Sequence, residues 1–356
     1  MLKHLLWPFA LLYGFAVKLR NALFNVGVLK STFFSRTICV GNLTVGGTGK
    51  TPHTEYLINL IKPHTSVALL SRGYKRKSKG FVLANQNSSA SAIGDEPYQI
   101  FSKFPSIAVA VDGDRVNGIE TLRRIKPQFD IIVLDDAFQH RYAKAELNIL
   151  LTDYSNLIHS DFFLPVGKLR DSFTERKRAN MVVVTKCPTM LSEKEKQKIR
   201  INLKLHTCQK LFFSTLTYGS IKPVFPEVHS DNATLSKSLN TLAVAGIANP
   251  KPFFDYLANE STLSQSISLP DHFNFSEKKI RAIFERFSQI REDSKVIVTT
   301  EKDASRLREF SHLPSQIKIC FYYLPIEVTF LDESKNEFNN KIQEYVRNTK
   351  ANNGLH

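Results

Sequence analysis

Short apolar runs separated by polar, helix-like segments form the main pattern of the chain. Such runs, bounded by Gly, Pro, Asp or Ser, are typical of buried β-strands. They occur at residues 38–40, 66–71, 107–111, 131–134, 147–152, 181–185, 241–245 and 295–300. Helices are predicted between several of them, including 55–61 and 191–210. This alternation predicts an α/β fold with a mostly parallel sheet and helices on both faces.

The pattern changes over residues 219–240, where Pro, Ser and Asn are frequent and long apolar runs are absent. A stretch of this composition is typical of a domain junction. We therefore expect two α/β domains, the second smaller than the first. The expected units are an N-terminal helix within 1–30, a first domain over 31–210, a linker over 211–240 and a C-terminal domain over 241–356.

The N-terminal segment contains an apolar run, residues 5–17, followed by Lys18 and Arg20. A helix needs about 20 apolar residues to span a bilayer, so this run is too short. We interpret it as a helix in the membrane interface, with Trp7 and Tyr13 at headgroup level. The alternatives are a helix packed on the protein's own core and a signal peptide, but no small-x-small cleavage pattern follows.

Residues 41–52, with the sequence GNLTVGGTGKTP, join a predicted strand to a predicted helix. Glycines at this place let backbone amides converge on a phosphate at the helix N-terminus. Lys50 supplies a cation and Thr51 a hydroxyl for Mg²⁺, as in a P-loop. The motif is imperfect because Thr44 replaces the usual first glycine; a glycine-rich structural turn is the alternative. The expected ATP-binding residues are Thr44, Val45, Gly46, Gly47, Thr48, Gly49, Lys50 and Thr51.

A second motif supports the P-loop. The apolar run 131–134 ends at Asp135 and Asp136. A buried strand that ends in aspartate is a Walker B element, which brings a carboxylate to the Mg²⁺ beside a P-loop. Asp136 is either a second ligand or a group that polarises a neighbour. The two motifs together predict a P-loop NTPase (RecA-like) fold that binds ATP with Mg²⁺.

The net charge of +15 and the pI of about 9.6 favour an anionic partner. Nucleic acid, a phosphorylated substrate and an acidic membrane surface all satisfy this requirement. Nucleic acid is disfavoured because aromatic residues do not interleave with the basic runs. The four cysteines are scattered, so neither a zinc site nor a disulfide framework is indicated, and a reducing compartment fits best.

Arg72 and Tyr74 follow the predicted strand 66–71, at the sheet edge where open α/β folds bind ligands; a solvated basic loop is the alternative. Asp95 and Glu96 lie between a glycine and a proline, which fits either a general base or an ordinary helix N-cap. His140 and Arg141 either contact phosphate or cap the next helix. His272, between an acid and aromatic residues, has the local pattern of a structural histidine.

The ensemble of motifs resembles the tetraacyldisaccharide 4'-kinase family, the lipid A 4'-kinases of Gram-negative envelope synthesis. The resembling elements, in chain order, are 41–52 (GNLTVGGTGKTP), 71–74 (SRGY), 94–97 (GDEP), 134–141 (LDDAFQHR), 164–170 (LPVGKLR), 244–250 (VAGIANP), 271–273 (DHF) and 299–303 (TTEKD). They extend over most of the chain, and the family's phosphate loop has the form of this one. The chain departs from many members at Lys75 and at Asp171-Ser172, which leaves the shape of the substrate loops open.

The resemblance implies transfer of the ATP γ-phosphoryl group to the 4'-hydroxyl of a tetraacylated glucosamine disaccharide 1-phosphate, giving lipid IVA. It implies that Asp95 is the catalytic base and that His272 pairs with it. Carried onto this chain, the metal ligands are Thr51, Glu96, Asp135 and Asp136, and the substrate or phosphate contacts are Arg72, Tyr74, Arg115, His140, Arg141 and Arg170.

The expected partners are the lipid A disaccharide precursor and an anionic membrane surface, with no nucleic acid and no obligate protein partner. The expected location is the cytoplasmic face of the inner membrane, held there peripherally or monotopically. A membrane-recruited P-loop switch ATPase is the main alternative, but it does not explain the elements 94–97 and 271–273 together.

Overall fold

The computed structural model describes residues 5–229 and 233–351, so the remaining residues of the expected units lie outside it. The strands are β1 (Thr32–Asn42), β2 (Val67–Ser71), β3 (Val82–Leu83), β4 (Ala108–Val111), β5 (Ile131–Asp135), β6 (Ala143–Asp153), β7 (Met181–Thr185), β8 (Lys210–Tyr218), β9 (Lys222–Pro223), β10 (Asn240–Ala245), β11 (Thr262–Ser268), β12 (Lys295–Thr300), β13 (Phe321–Leu324) and β14 (Ile326–Phe330). The helices are α1 (Trp7–Asn25), α2 (Lys50–Ile61), α3 (Ala90–Ile93), α4 (Asp95–Lys103), α5 (Arg115–Ile125), α6 (Glu193–Leu203), α7 (Lys251–Glu260), α8 (Glu277–Ser288), α9 (Glu301–Leu307), α10 (Ser315–Lys318) and α11 (Ser334–Ala351).

Within the described residues, the first sheet has nine strands in the order β14-β8-β7-β6-β1-β5-β2-β4-β3. All neighbours are parallel except the two edge strands, β14 and β3, which are antiparallel. Successive side chains of β1 enter different cores: Ile38 and Val40 pack in the core that includes residues of α2, α4 and α11, whereas Cys39 packs with residues of α5 and α6. The predicted mostly parallel α/β sheet is therefore confirmed.

The second sheet has the order β11-β10-β12-β13-β9 and is parallel except for β9. Helix α8 contributes Ile280, Ile283 and Phe287 to the core on one face of this sheet. Helix α7 contributes Phe253 and Leu257 to the core on the other face. The second unit is thus a separate α/β layer structure with its own apolar interior.

The chain path differs from the expected units at two places. The stretch expected as a linker, 211–240, begins with most of β8, which pairs with β7 inside the first sheet and has five consecutive buried residues. After the second sheet the chain returns, so that β14 pairs with β8 and α11 packs on the first sheet's core. The sequence pattern missed this return because β14 alternates half-buried and exposed residues, a pattern that does not identify its partner strand.

The N-terminal helix α1 packs on the first unit through one face only. Its buried residues are Ala10, Gly14, Val17, Asn21 and Phe24. The opposite face leaves large apolar side chains in solvent, among them Phe9, Leu12 and Phe15, each about two-thirds exposed. No helix in the described part of the chain is both long and apolar enough to cross a bilayer.

Candidate active site

The predicted P-loop lies between the end of β1 and the start of α2, at the carboxyl edge of the first sheet. Gly46 and Gly49 have positive φ angles of 102° and 80°. L-residues with side chains rarely adopt this backbone conformation, so glycine is required at both positions. Gly49 is the N-cap of α2 and carries no side-chain cap, which leaves the first amides of the helix available to an anion.

Contacts from three neighbouring segments hold the P-loop in shape. The Asn42 amide donates to Thr48 Oγ1 at 2.8 Å, and Thr185 Oγ1 donates to the Thr48 carbonyl at 2.9 Å. Thr44 is buried and forms a β-bridge with Leu169 in the loop that follows β6. The residue that breaks the usual glycine pattern therefore packs against a covering loop.

Asp135 ends β5, which is paired directly with β1, and its side chain is buried. The hydroxyl groups of Thr54 and Ser71 contact its two oxygens, each at 3.3 Å. Burial, reinforced by the charge of Asp136, raises the pKa of Asp135 to about 6. Glu96 is a further negative charge close enough to act in the same direction. The positive charge of Lys50 acts in the opposite direction but does not outweigh burial.

Asp136 adopts a positive φ of 48° and faces cationic groups instead. Arg170 binds both of its oxygens, at 2.7 and 3.1 Å, and Lys50 Nζ lies 3.7 Å away. Burial alone would raise the pKa of Asp136, but Lys50 and Arg170 outweigh it and lower that pKa to about 2. Arg170 also donates to the Asn42 side chain at 2.5 Å, so it ties the Walker B end to the P-loop.

The other expected phosphate contacts differ in how exposed they are. Arg72 is exposed at the end of β2, and Tyr74 is 60% exposed, with its ring centroid 6.5 Å from that of His272. Arg115 is buried; one terminal nitrogen donates to the carbonyls of residues 112 and 113, and within the described residues its Nε has no hydrogen-bond partner. The ring of His140 lies edge-on to that of Tyr142.

Arg141 lies elsewhere, contrary to its expected phosphate contact. Its guanidinium donates to the Asn21 carbonyl at 3.1 Å and to the Asn25 side chain at 2.7 Å, and it pairs with Glu175 at 3.4 Å. It also lies over the Phe24 ring. Arg141 therefore fastens helix α1 to the first unit.

The structure brings Asp95 and His272 together although they are 177 residues apart, with Asp95 Oδ2 and His272 Nδ1 separated by 2.6 Å. The N-cap of α4 is Gly94, and Asp95 is the first residue of the helix, so the N-cap alternative is wrong. Lys302 Nζ lies 3.3 Å from His272 Nε2. Since an ammonium group can only donate, Nε2 accepts, and the ring proton belongs on Nδ1, facing Asp95.

Asp135, Asp136 and Glu96 do not form a metal site by themselves. Across residues 5–229 and 233–351, no three His, Cys, Asp or Glu side chains lie close enough together to hold a metal ion. Metal binding at this edge would therefore need oxygen ligands from a bound molecule as well as from the protein.

Comparison with known proteins identifies the family. The family model described as tetraacyldisaccharide-1-P 4'-kinase (LpxK) matches residues 2–347. The chain belongs to this family. The tetraacyldisaccharide 4'-kinase of Bacteroides thetaiotaomicron is 47% identical, covering 98% of this chain and 94% of its own length. That of Flavobacterium johnsoniae is 48% identical, covering 98% of both chains.

A solved structure agrees with this assignment. The crystal structure of LpxK from Aquifex aeolicus in complex with ATP superposes with a TM-score of 0.75 at 28% identity, covering 97% of this chain and all of that one. The fold is therefore shared along nearly the whole length of the chain.

Local sequence reasoning missed several residues of this family member's site. Arg306 and Lys302, both on α9, contact the Asp95–His272 pair. Asn42 shapes the P-loop from the end of β1. The element 299–303 includes Lys302 and was a signal for it, whereas Arg306 lies three residues beyond that element.

Proposed function

We propose that this protein transfers the γ-phosphoryl group of ATP to the 4'-hydroxyl of tetraacyldisaccharide 1-phosphate, giving lipid IVA for lipid A synthesis. Family membership and the ATP complex of the structural relative support this reaction. The observation that carries it is the 2.6 Å contact between Asp95 and His272. A carboxylate oriented by a histidine is suited to act as a general base, and ATP binding alone does not require one.

Asp95 is the base in this mechanism. Although burial raises its pKa, hydrogen bonds from Arg306 and His272 outweigh burial and lower the pKa of Asp95 below its usual value. The carboxylate is consequently ionised at neutral pH and can accept the proton of the 4'-hydroxyl. As that proton leaves, the hydroxyl oxygen bonds to the γ-phosphorus, the bond to the β-γ bridging oxygen breaks, and ADP departs.

Lys50 and the first amides of α2 hold the nucleotide phosphates. Arg72 and Tyr74 are the most accessible of the proposed substrate contacts, since both are exposed and Tyr74 lies beside His272. Arg170 and Arg115 keep positive charge close to the aspartates. His140 is a further candidate for contact with substrate or phosphate.

Mg²⁺ supplies charge neutralisation at the β- and γ-phosphates in reactions of this type. The donor set fits this ion because all candidates, Thr51, Glu96, Asp135 and Asp136, present oxygen. Asp135 is the preferred direct ligand, since its two oxygens contact only the hydroxyl groups of Thr54 and Ser71 among the described residues, whereas Arg170 binds both oxygens of Asp136. Asp136 is already bound by Arg170 and is assigned to orienting that side chain and Lys50. Phosphate oxygens and water would complete the coordination.

The acceptor is a membrane amphiphile, and the exposed apolar face of α1 suits contact with a bilayer surface. We assign the protein to the cytoplasmic face of the inner membrane, held peripherally by this face and by its surplus of positive charge. An enzyme held in this way reaches the sugar headgroup while the acyl chains stay in the bilayer.

The test is a transfer assay with γ-labelled ATP and tetraacyldisaccharide 1-phosphate in mixed micelles. We expect label in the lipid with the wild-type protein, and a loss of at least about 100-fold in kcat for Asp95→Asn with ATP binding retained. Asp255→Asn, which changes an exposed carboxylate on α7, is the matched control. Acceptor-independent ATP hydrolysis with unlabelled lipid would instead support the switch ATPase.

A further inference from the structure

Arg306 is a buried arginine that contacts both members of the Asp95–His272 pair. It lies near the end of α9, and its side chain is 9% exposed. Its Nε donates to Asp95 Oδ1 at 2.9 Å, and its Nη2 donates to Asp95 Oδ2. The guanidinium therefore binds the carboxylate through both oxygens, the geometry in which arginine fixes a carboxylate in orientation as well as in position.

The same guanidinium also fixes the loop that carries His272. Its Nη1 donates to the Phe273 carbonyl at 3.0 Å, next to His272 in the chain. Its Nη2 lies 3.1 Å from His272 Nδ1, and since both nitrogens carry protons they share Asp95 Oδ2 as their acceptor. Asp95 of the first unit and the backbone beside His272 of the second unit are thus held by one rigid, planar group.

Arg306 is itself held by the second unit. Asp303, one turn earlier on α9, is fully buried and lies 3.8 Å from Nη1 of Arg306. The Gly246 amide and the Thr300 hydroxyl donate to Asp303 Oδ2, at 2.8 and 2.7 Å. The start of α9 and the end of β10 therefore anchor the guanidinium from behind, opposite Asp95.

We propose that Arg306 is the positioning residue of the reaction: it fixes the orientation of Asp95 toward the acceptor hydroxyl when the two sheet units are together. This inference rests on the proposed function, because it takes Asp95 to be the base. This positioning needs the planar guanidinium of Arg306 and not just a positive charge, because Lys302 already provides a cation beside His272. Proton transfer depends on a well-defined donor–acceptor geometry, and displacement by about 1 Å costs on the order of 100-fold in rate.

The experiment compares Arg306→Ala, Arg306→Lys and wild type in the lipid transfer assay, with kcat and the KM for ATP measured separately. We expect kcat to fall about 100-fold in Arg306→Ala and by at least about 10-fold in Arg306→Lys, which keeps the charge but loses the fork. The KM for ATP should change less than about twofold, because the P-loop is on the other unit. Arg281→Gln changes an exposed arginine of α8 that pairs with Glu277, and this variant should behave as wild type.

Chemical rescue separates positioning from a merely structural role. Millimolar guanidinium ion added to Arg306→Ala should restore part of kcat, since the ion refills the space beside Asp95, whereas it should not affect Asp95→Asn. Wild-type kcat in Arg306→Lys overturns the proposal. A fall in kcat of Arg306→Ala that guanidinium does not reverse also overturns it. A fall in kcat that is matched by an equal loss of ATP binding does the same.

Should Arg306→Ala melt below the assay temperature, the Arg306→Lys comparison alone decides. Absence of lipid labelling by the wild-type protein would refute the proposed function itself, and it is distinguishable from any of these outcomes.

Discussion

Lys103 is the partner of two buried carboxylates, and its removal gives the sharpest test of how the two sheet units are joined. Its Nζ lies 2.5 Å from Glu55 on α2 and 2.6 Å from Glu301 on α9. Both carboxylate side chains are less than a tenth exposed, and Gln99 donates to Glu55 at 2.7 Å. Lys103→Met keeps the aliphatic stem but removes the cation that both buried carboxylates share.

The magnitude follows from this geometry. Removing one partner of a buried ion pair typically destabilises by about 3–5 kcal/mol, because the other charge remains buried without compensation. The Lys103 side chain is 23% exposed, so we take the lower end of this range, about 3 kcal/mol, as the loss in free energy of unfolding. Part of this loss is relieved where Glu55 accepts a proton.

Because protonation of Glu55 offsets part of the loss, the destabilisation caused by Lys103→Met depends on pH. Burial, followed by the charge of Glu301, already raises the pKa of Glu55 from 4.5 to about 7 despite Lys103. Without Lys103 that pKa rises further, so the folded variant binds a proton that the unfolded chain does not. A folded state that binds more protons loses stability as pH rises, by at most about 1.4 kcal/mol per pH unit.

We therefore expect the penalty of Lys103→Met to be larger at about pH 8.5 than at about pH 6. The assay is urea unfolding of wild type and variant at both pH values, followed by tryptophan fluorescence and circular dichroism. Lys341→Met is the control, since Lys341 forms an exposed pair with Glu344 on α11. A penalty below about 1 kcal/mol at both pH values, or one that shrinks as pH rises, would refute the reasoning.

Two further predictions concern acid stability and the membrane. Burial lowers the pKa of His53 to about 4; because the unfolded histidine protonates at a higher pH, stability should fall as pH drops from about 6.5 towards 4, and His53→Gln should flatten that fall in thermal melts. On α1, Phe9→Ser combined with Phe15→Ser should at least halve the fraction that sediments with anionic liposomes, whereas Ile201→Ser, an equally exposed apolar change on α6, should not. Equal sedimentation of both variants would contradict a membrane role for α1.

The nucleotide half of the site could be predicted from the sequence because its determinants are local. Gly46 and Gly49 have the positive φ angles that a glycine-rich turn implies, and Asp135 ends a continuous apolar run beside β1. These signals depend on a few neighbouring residues in fixed spacing. The parallel sheet was predictable for the same reason.

The rest of the site depends on contacts between residues distant in the chain, which local patterns do not encode. Asp95 and His272 had the local patterns of an N-cap acid and a structural histidine, and only the family resemblance paired them. Arg141 had the same basic character as Arg170, but its neighbours on α1 and Glu175 decide its role. The return of β14 to the first sheet was missed because an alternating strand carries no information about its partner.

Helix α4 contacts the second unit at both of its ends. Asp95 at its start is bound by Arg306, and Lys103 at its end is bound by Glu301, so the two ends of α4 are attached to the two ends of α9. Glu55 joins the same cluster from α2, the helix that begins at the P-loop lysine. Full separation of the two units along these helices would break both ion-paired contacts. The orientation of the base and the position of the nucleotide loop are consequently set by one interface.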